Sequence, residues 1–167
     1  FKHTELQTSF SVNNIALVNG RPQTLNLLDL IKHFVNHRHE VIVRRSRFDL
    51  RKAEERMHIV QGLIIAQDNI DEIVQIIKSS KSVDIAKATL SERFGLSDLQ
   101  AAAIVDMRLR ALTGLERSKL VAEHDELQNT IDYLTAVLGS EEMQLGIVKD
   151  ELLEIKDKYG DERRSEI

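Results

Sequence analysis

The sequence predicts a mainly all-α fold: a long antiparallel coiled-coil stalk with a small helical knob, plus a short β-hairpin-like segment at the N-terminus. Three observations predict it. One proline and seven glycines in 167 residues leave few places to break the backbone. Charged residues reach 30% while aromatic residues make up 4%, a balance that favours long exposed helices over a sheet-based core. Two long stretches with a near-heptad apolar rhythm flank a run of short helix signals, which is the pattern of a helix that goes out and returns. The expected divisions are 1–26 as an edge segment of a neighbouring domain, 27–69 as the outgoing stalk helix, 70–114 as the knob, and 115–167 as the returning helix and exit strand.

The hairpin is read from Ile15-Ala-Leu-Val18, then Asn19-Gly20, the pair that favours a type I′ turn, then Pro22 and a return strand through Gln23-Thr24-Leu25. Two strands alone are not stable in water. This piece, in a chain that opens on Phe1 rather than Met, is expected to pack against a further domain of a longer protein.

Asn26 can cap the next helix, with Asp29 in the first turn where a carboxylate suits the helix dipole. From Leu27 to about Ala66 only Gly62 weakens the helix, by ~1 kcal/mol relative to alanine. Leu27, Ile31, Phe34, Val41 and Phe48 form its expected apolar seam. Forty helical residues would span ~60 Å at ~1.5 Å each, too long for a compact domain of this size.

Short elements follow. Asn69 and Glu72 fit a capping box, Ser82 fits a cap for the helix that Gly95 closes, and Ser97 with Gln100 forms a second box. Thr113 and Glu116 form a third. The returning helix carries Leu120, His124, Leu127, Ile131, Leu134 and Leu138 at alternating spacings of four and three. The rhythm breaks at Gly139-Ser140, either as a hinge or as two abutting helices with Ser140 as cap. It resumes with Leu145, Val148, Leu152, Ile155 and Tyr159.

Charge divides along the chain, although the net value is only −4. Lys32 to Lys52 holds seven basic side chains against two acids, and Leu120 to Asp157 holds ten acids against two lysines. Side by side, such helices complement each other. Arg38, Arg44, Arg45 and Arg47 therefore have two readings: pairing with acids of the returning helix or a neighbouring domain, which is favoured, or contact with DNA, whose phosphates attract arginine regardless of sequence. His33 and His37 stand four apart on one helix, a spacing that can hold a metal. With no third ligand fixed by the sequence, solvated or stalk-packing histidines are the preferred reading.

Without cysteine the chain forms no disulfide or thiolate metal site, which fits a reducing compartment. No apolar run approaches the ~20 residues that cross a bilayer, and no signal peptide is visible. A cytoplasmic location is expected.

The stretch 95–116 reads as one helix between two glycines, and it is apolar nearly all the way round. Ala101, Val105, Leu109 and Leu112 form one stripe, and Ala103, Ile104, Met107 and Ala111 form another on roughly the opposite side. The second stripe has two possible partners: a second copy of the chain, or the helix over 83–94 through Leu90, Phe94 and Leu96.

Several segments together resemble a known family: "HTELQTSFSVNNIALVNGRP", "VNHRHEVIVRRSRFDLRKAEERMHIVQGL", "QDNIDEIVQII", "LSDLQAAAIVDMRLRALTGLE" and "YGDERRSEI". Over essentially the whole chain they are similar to the A subunits of type IIA topoisomerases, those of bacterial DNA gyrase and topoisomerase IV. The resemblance implies the coiled-coil arm and exit gate (C-gate) of an enzyme that passes one duplex through a double-strand break in another using ATP. It implies Mg2+ and ATP in other domains or another subunit and none here. As partners it implies a second copy through the knob, the gyrase B subunit in an A2B2 complex, and double-stranded DNA, with no membrane. Nothing matches the family's Arg-Tyr cleavage motif, so the segment is expected to carry no catalytic, cofactor-binding or metal-binding residue. Tyr133 and Tyr159 are read as packing residues.

On this resemblance Gln100, Ala103, Ile104, Met107 and Ala111 would face the same residues of a second copy, while Val105, Leu109 and Leu112 close the knob's own core. A twofold contact is self-complementary. Some relatives carry a large insertion before the Gln-Ala-x-Ala-Ile segment; here the connection is short, which leaves the gate's outer surface open. The alternatives are the A-type subunit of topoisomerase IV and, from another class, a generic cytosolic coiled-coil dimeric adaptor.

Overall fold

The computed structural model describes residues 3–6, 8–107 and 114–164, with side chains throughout except at 114–116. Among these residues the order is β1 (Ile15–Val18), β2 (Arg21–Thr24), α1 (Leu27–Asp68), α2 (Ile70–Ser79), α3 (Val83–Phe94), α4 (Asp98–Val105), α5 (Gly114–Gly139) and α6 (Glu141–Tyr159). The mainly α-helical class is as expected. The chain forms two compact units, one from Phe1–Val43 with Gln144–Ile167 and one from Arg44–Met143.

In the first unit β1 and β2 pair antiparallel, with Val18 opposite Arg21, Leu17 opposite Pro22 and Ile15 opposite Thr24. Asn19 and Gly20 both take positive φ, 51° and 77°, the conformation a two-residue type I′ turn demands. The pairing extends one step further, Leu25 N–H donating to the Asn14 carbonyl at 2.8 Å. Asn26 then caps α1 as expected, its Oδ1 accepting from Asp29 N–H at 2.9 Å. Farther along, Arg38 donates to Glu151 at 2.5 Å and His39 Nε2 meets Gln144 Oε1 at 2.6 Å. These polar ties join α1 to α6 beside the buried Ile42 and Val148.

The seam expected on α1 is not the buried one. Leu27, Ile31, Phe34 and Phe48 are all at least half exposed, and the covered positions are Ile42, Ser46, Ala53, Met57 and Val60. Their spacings of four, seven, four and three hold a heptad stripe, but the serine and alanine in it hide it from a search for large apolar residues. On α5 the expected seam holds: Leu134 is buried and Leu120, His124, Leu127, Ile131 and Leu138 are half-buried. On α6 it shifts, with Gln144 and Val148 buried while Leu145, Ile155 and Tyr159 are exposed. Tyr133 is exposed too, so neither tyrosine is a packing residue. Between α5 and α6 stands Ser140, whose Oγ accepts from Met143 N–H at 3.3 Å; it caps α6.

In the second unit α1 and α5 run antiparallel, as their ion pairs record: Arg56 forks onto Glu123 at 2.6 and 3.0 Å, and Arg117 reaches Asp68 at 2.7 Å. The Glu123 carboxylate holds the Arg56 guanidinium above its ordinary pKa through that hydrogen bond. Short helices α2 to α4 close on a core of Ala66, Ile73, Leu90, Leu96, Ala101 and Ile104. Ser82 caps α3, accepting from Ile85 N–H at 3.3 Å, and Gly95 ends it in the left-handed conformation. Asn69 departs from its expected role. Its side chain makes no cap bond to α2; instead its Nδ2 donates to the Ile65 carbonyl at 2.9 Å, serving an orphan acceptor at the end of α1. Glu72, its expected partner, pairs with Arg93 at 2.7 Å.

Candidate functional site

The residues expected to make a symmetric contact lie on and just after α4, and local chemistry sets where that helix begins. Ser97 Oγ accepts from Gln100 N–H at 3.2 Å, and Gln100 Oε1 accepts from Ser97 N–H at 3.0 Å, a full capping box. The helix is shorter than the sequence suggests. It ends at Val105: Asp106 still donates to the Ala102 carbonyl at 3.0 Å, the usual i→i−4 bond, and Met107 donates to the Ile104 carbonyl at 3.2 Å, a tightened i→i−3 bond that closes the last turn. Leu109, Ala111, Leu112 and the Thr113–Glu116 box lie outside the described residues or side chains.

The structure divides the five expected contact residues. Ile104 is 1% exposed and belongs to the core. Gln100 is 7% exposed and its Nε2 donates to the backbone carbonyl of His58 on α1 at 2.7 Å. Both face inward, because Ile104 fills the centre of the knob and Gln100 is the polar tie between α4 and α1. Ala103 and Met107 are half-buried at the surface, and Ala111 lies outside the described residues.

The outward face of α4 consists instead of Leu99, 69% exposed, with Ala102 and Ala103 half-buried beside it and Asp106 at the end. Residues 99, 102, 103 and 106 keep the i, i+3, i+4, i+7 spacing of one helical face. That triplet of apolar residues is visible in the sequence, but the longer stripe through Ile104 conceals it. Beside Met107 runs an apolar groove of about 210 Å³ between α2 and the end of α4, lined by Ile70, Val74, Ile77 and Val105 among others.

Of the four arginines singled out, Arg38 is the half-buried partner of Glu151. Arg44, Arg45 and Arg47 are exposed. His33 and His37 line a polar cleft of about 420 Å³ with Asn19, Asn36 and Glu40. Among the described residues no three His, Cys, Asp or Glu side chains gather as a metal site, and no helix is long and apolar enough to cross a membrane.

Comparison with known proteins agrees with the sequence resemblance. The family model for the A subunit of DNA gyrase/topoisomerase IV matches residues 1–153. The DNA gyrase A subunit from Staphylococcus aureus strain MRSA252 is 53% identical over 167 residues, which is all of this chain and 19% of that relative. Its counterpart from strain NCTC 8325 / PS 47 gives the same identity and coverage. The chain thus spans about a fifth of the length of the curated relatives it matches.

Proposed function

Because the chain belongs to the family of DNA gyrase/topoisomerase IV A subunits, we propose that it forms the arm and exit gate of such a type IIA topoisomerase, where two copies meet and part as DNA leaves. The observation that carries this reading is the outward apolar face of α4. Leu99 is exposed beside Ala102 and Ala103, in a unit whose core is already closed by Ala101, Ile104 and their neighbours. A twofold axis through that face sets small residues against small residues and Leu99 against its counterpart. Met107 next to it is soft and adaptable. A contact of this modest size suits a gate, which must hold and also release.

In this proposal the gate residues are Leu99 and Ala103 with Met107, and the rest of the reaction belongs elsewhere. The parent enzyme breaks and passes duplex DNA using ATP and Mg2+ bound in other domains or in a B subunit, inside the cytoplasm, while this segment does no chemistry. Exposed Arg44 and Arg47 are placed to meet DNA phosphates or a neighbouring domain. Gyrase and topoisomerase IV differ in the supercoiling they produce, and an assay of the full-length protein with its B partner separates them.

Sedimentation tests the gate. The chain is expected to weigh as a dimer, and Leu99→Arg to give a monomer with unchanged helicity. A dimer that survives Leu99→Arg overturns the assignment to this face.

A further inference from the structure

α4 is apolar on two sides: Ala101 and Ile104 point into the core, and Leu99, Ala102 and Ala103 point away from it. Burial of apolar surface alone therefore discriminates weakly between the observed rotation of this eight-residue helix and one turned by a residue. The polar atoms do discriminate. Gln100 Nε2 donates to the His58 carbonyl at 2.7 Å while its Oε1 accepts from Ser97 N–H at 3.0 Å. A second tie stands one turn earlier, where Ser97 Oγ and His58 Nε2 are 2.7 Å apart.

The space for this arrangement comes from Gly62, one turn after His58 on α1. A Cβ built on Gly62 would lie 2.7 Å from Gln100 Cγ and 2.8 Å from Gln100 Cβ, so any side chain at 62 would displace Gln100. Turning α4 by one residue, ~100°, would pull the amide from the His58 carbonyl and present an apolar side chain to it.

We propose that Gln100 is a positioning residue: seated over Gly62 and bonded to the His58 carbonyl, it sets the rotation of α4 and so selects which apolar face points outward. Specifying one arrangement among several of similar apolar burial is the best-attested use of a buried polar group. Its consequence for pairing of two copies rests on the gate reading; the rotational latch does not.

The chain has no cysteine, so single introduced thiols report cleanly. Ala101→Cys is a reporter at a fully buried α4 position, and Ala88→Cys on α3 is an exposed reference. In the full chain, maleimide should label the thiol at position 88 rapidly and the thiol at position 101 slowly. Gln100→Leu, close in size and apolar, should raise labelling at position 101 relative to position 88 at least about tenfold, with the helical circular dichroism retained. Gly62→Ala should do the same by expelling the amide. Should Gln100→Leu fail to fold, Gln100→Glu carries the comparison, since it keeps an acceptor for Ser97 N–H but sets a carboxylate oxygen against the His58 carbonyl. An unchanged ratio in a folded variant overturns the latch. Sedimentation mass reads the gate separately: a monomeric chain whose labelling ratio still collapses in Gln100→Leu defeats the pairing and leaves the latch standing.

Discussion

Gly62 and the side chain of Gln100 occupy one space, with only 2.7 Å between the position of an added Cβ and Gln100 Cγ. Alanine at 62 would gain ~1 kcal/mol of helix propensity but overpack the joint, at a cost of ~1–3 kcal/mol. Gly62→Ala should therefore be neutral to destabilising in urea unfolding. Gly146 in α6 has nothing within 4 Å of its added Cβ, and Gly146→Ala should stabilise by ~0.5–1 kcal/mol. Equal gains at both positions would contradict the close approach at Gly62.

Ile104 and Leu99, on opposite sides of α4, should respond oppositely to truncation. Ile104→Ala removes a core side chain that is 1% exposed and should cost ~2–5 kcal/mol. Leu99→Ala in the monomeric state should change stability by no more than ~0.5 kcal/mol, because that side chain stands in solvent. Thermal unfolding of the two variants at low concentration makes the comparison.

The Arg56–Glu123 pair is forked, a geometry that lysine cannot reproduce. A double-mutant cycle should give a coupling of ~0.2–1 kcal/mol, the range of partly exposed pairs, and it should shrink between low and high salt. Arg56→Lys should lose most of it. A coupling that ignores salt would point to packing of the arginine stem instead.

The Glu55 carboxyl is held below the usual glutamate range, first by the hydrogen bond from Lys52 and then by the charges of Lys52 and Arg51. A depressed folded-state value means that the pair helps the folded chain above the ordinary glutamate pKa and stops helping as pH falls through the lowered one. Both side chains are exposed, so the effect belongs in a titration rather than in a melting curve. Carboxyl NMR shifts should show a lowered midpoint for Glu55 that returns to the ordinary range in Lys52→Ala.

What is legible in the sequence is local. The Asn19-Gly20 turn, the caps at Asn26, Ser82 and Ser97, and the break at Ser140 depend on atoms within a few residues of one another, and each stands where its chemistry indicates. What escapes is set at a distance. Whether Ile31 or Ser46 lies in the α1 seam depends on what packs there, and residue size favours the wrong one. The inward face of α4 is settled by a carbonyl 42 residues earlier in the chain, which no periodicity within α4 contains. By propensity Gly62 is a weak spot in a helix, whereas in the fold it is the opening that Gln100 requires.

The register of the hairpin has one further result. Leu17 and Pro22 form a pair lying between hydrogen-bonded ones, so the ring nitrogen of Pro22 sits on the outer margin of β2, where an approaching strand would look for a donor and find none. The margin of β1 has no such defect, since Ile15 and Leu17 turn both their N–H and their carbonyl groups that way. Any extension of this ribbon by another strand is thereby steered to a single side, and self-addition through β2 is discouraged by one imino acid.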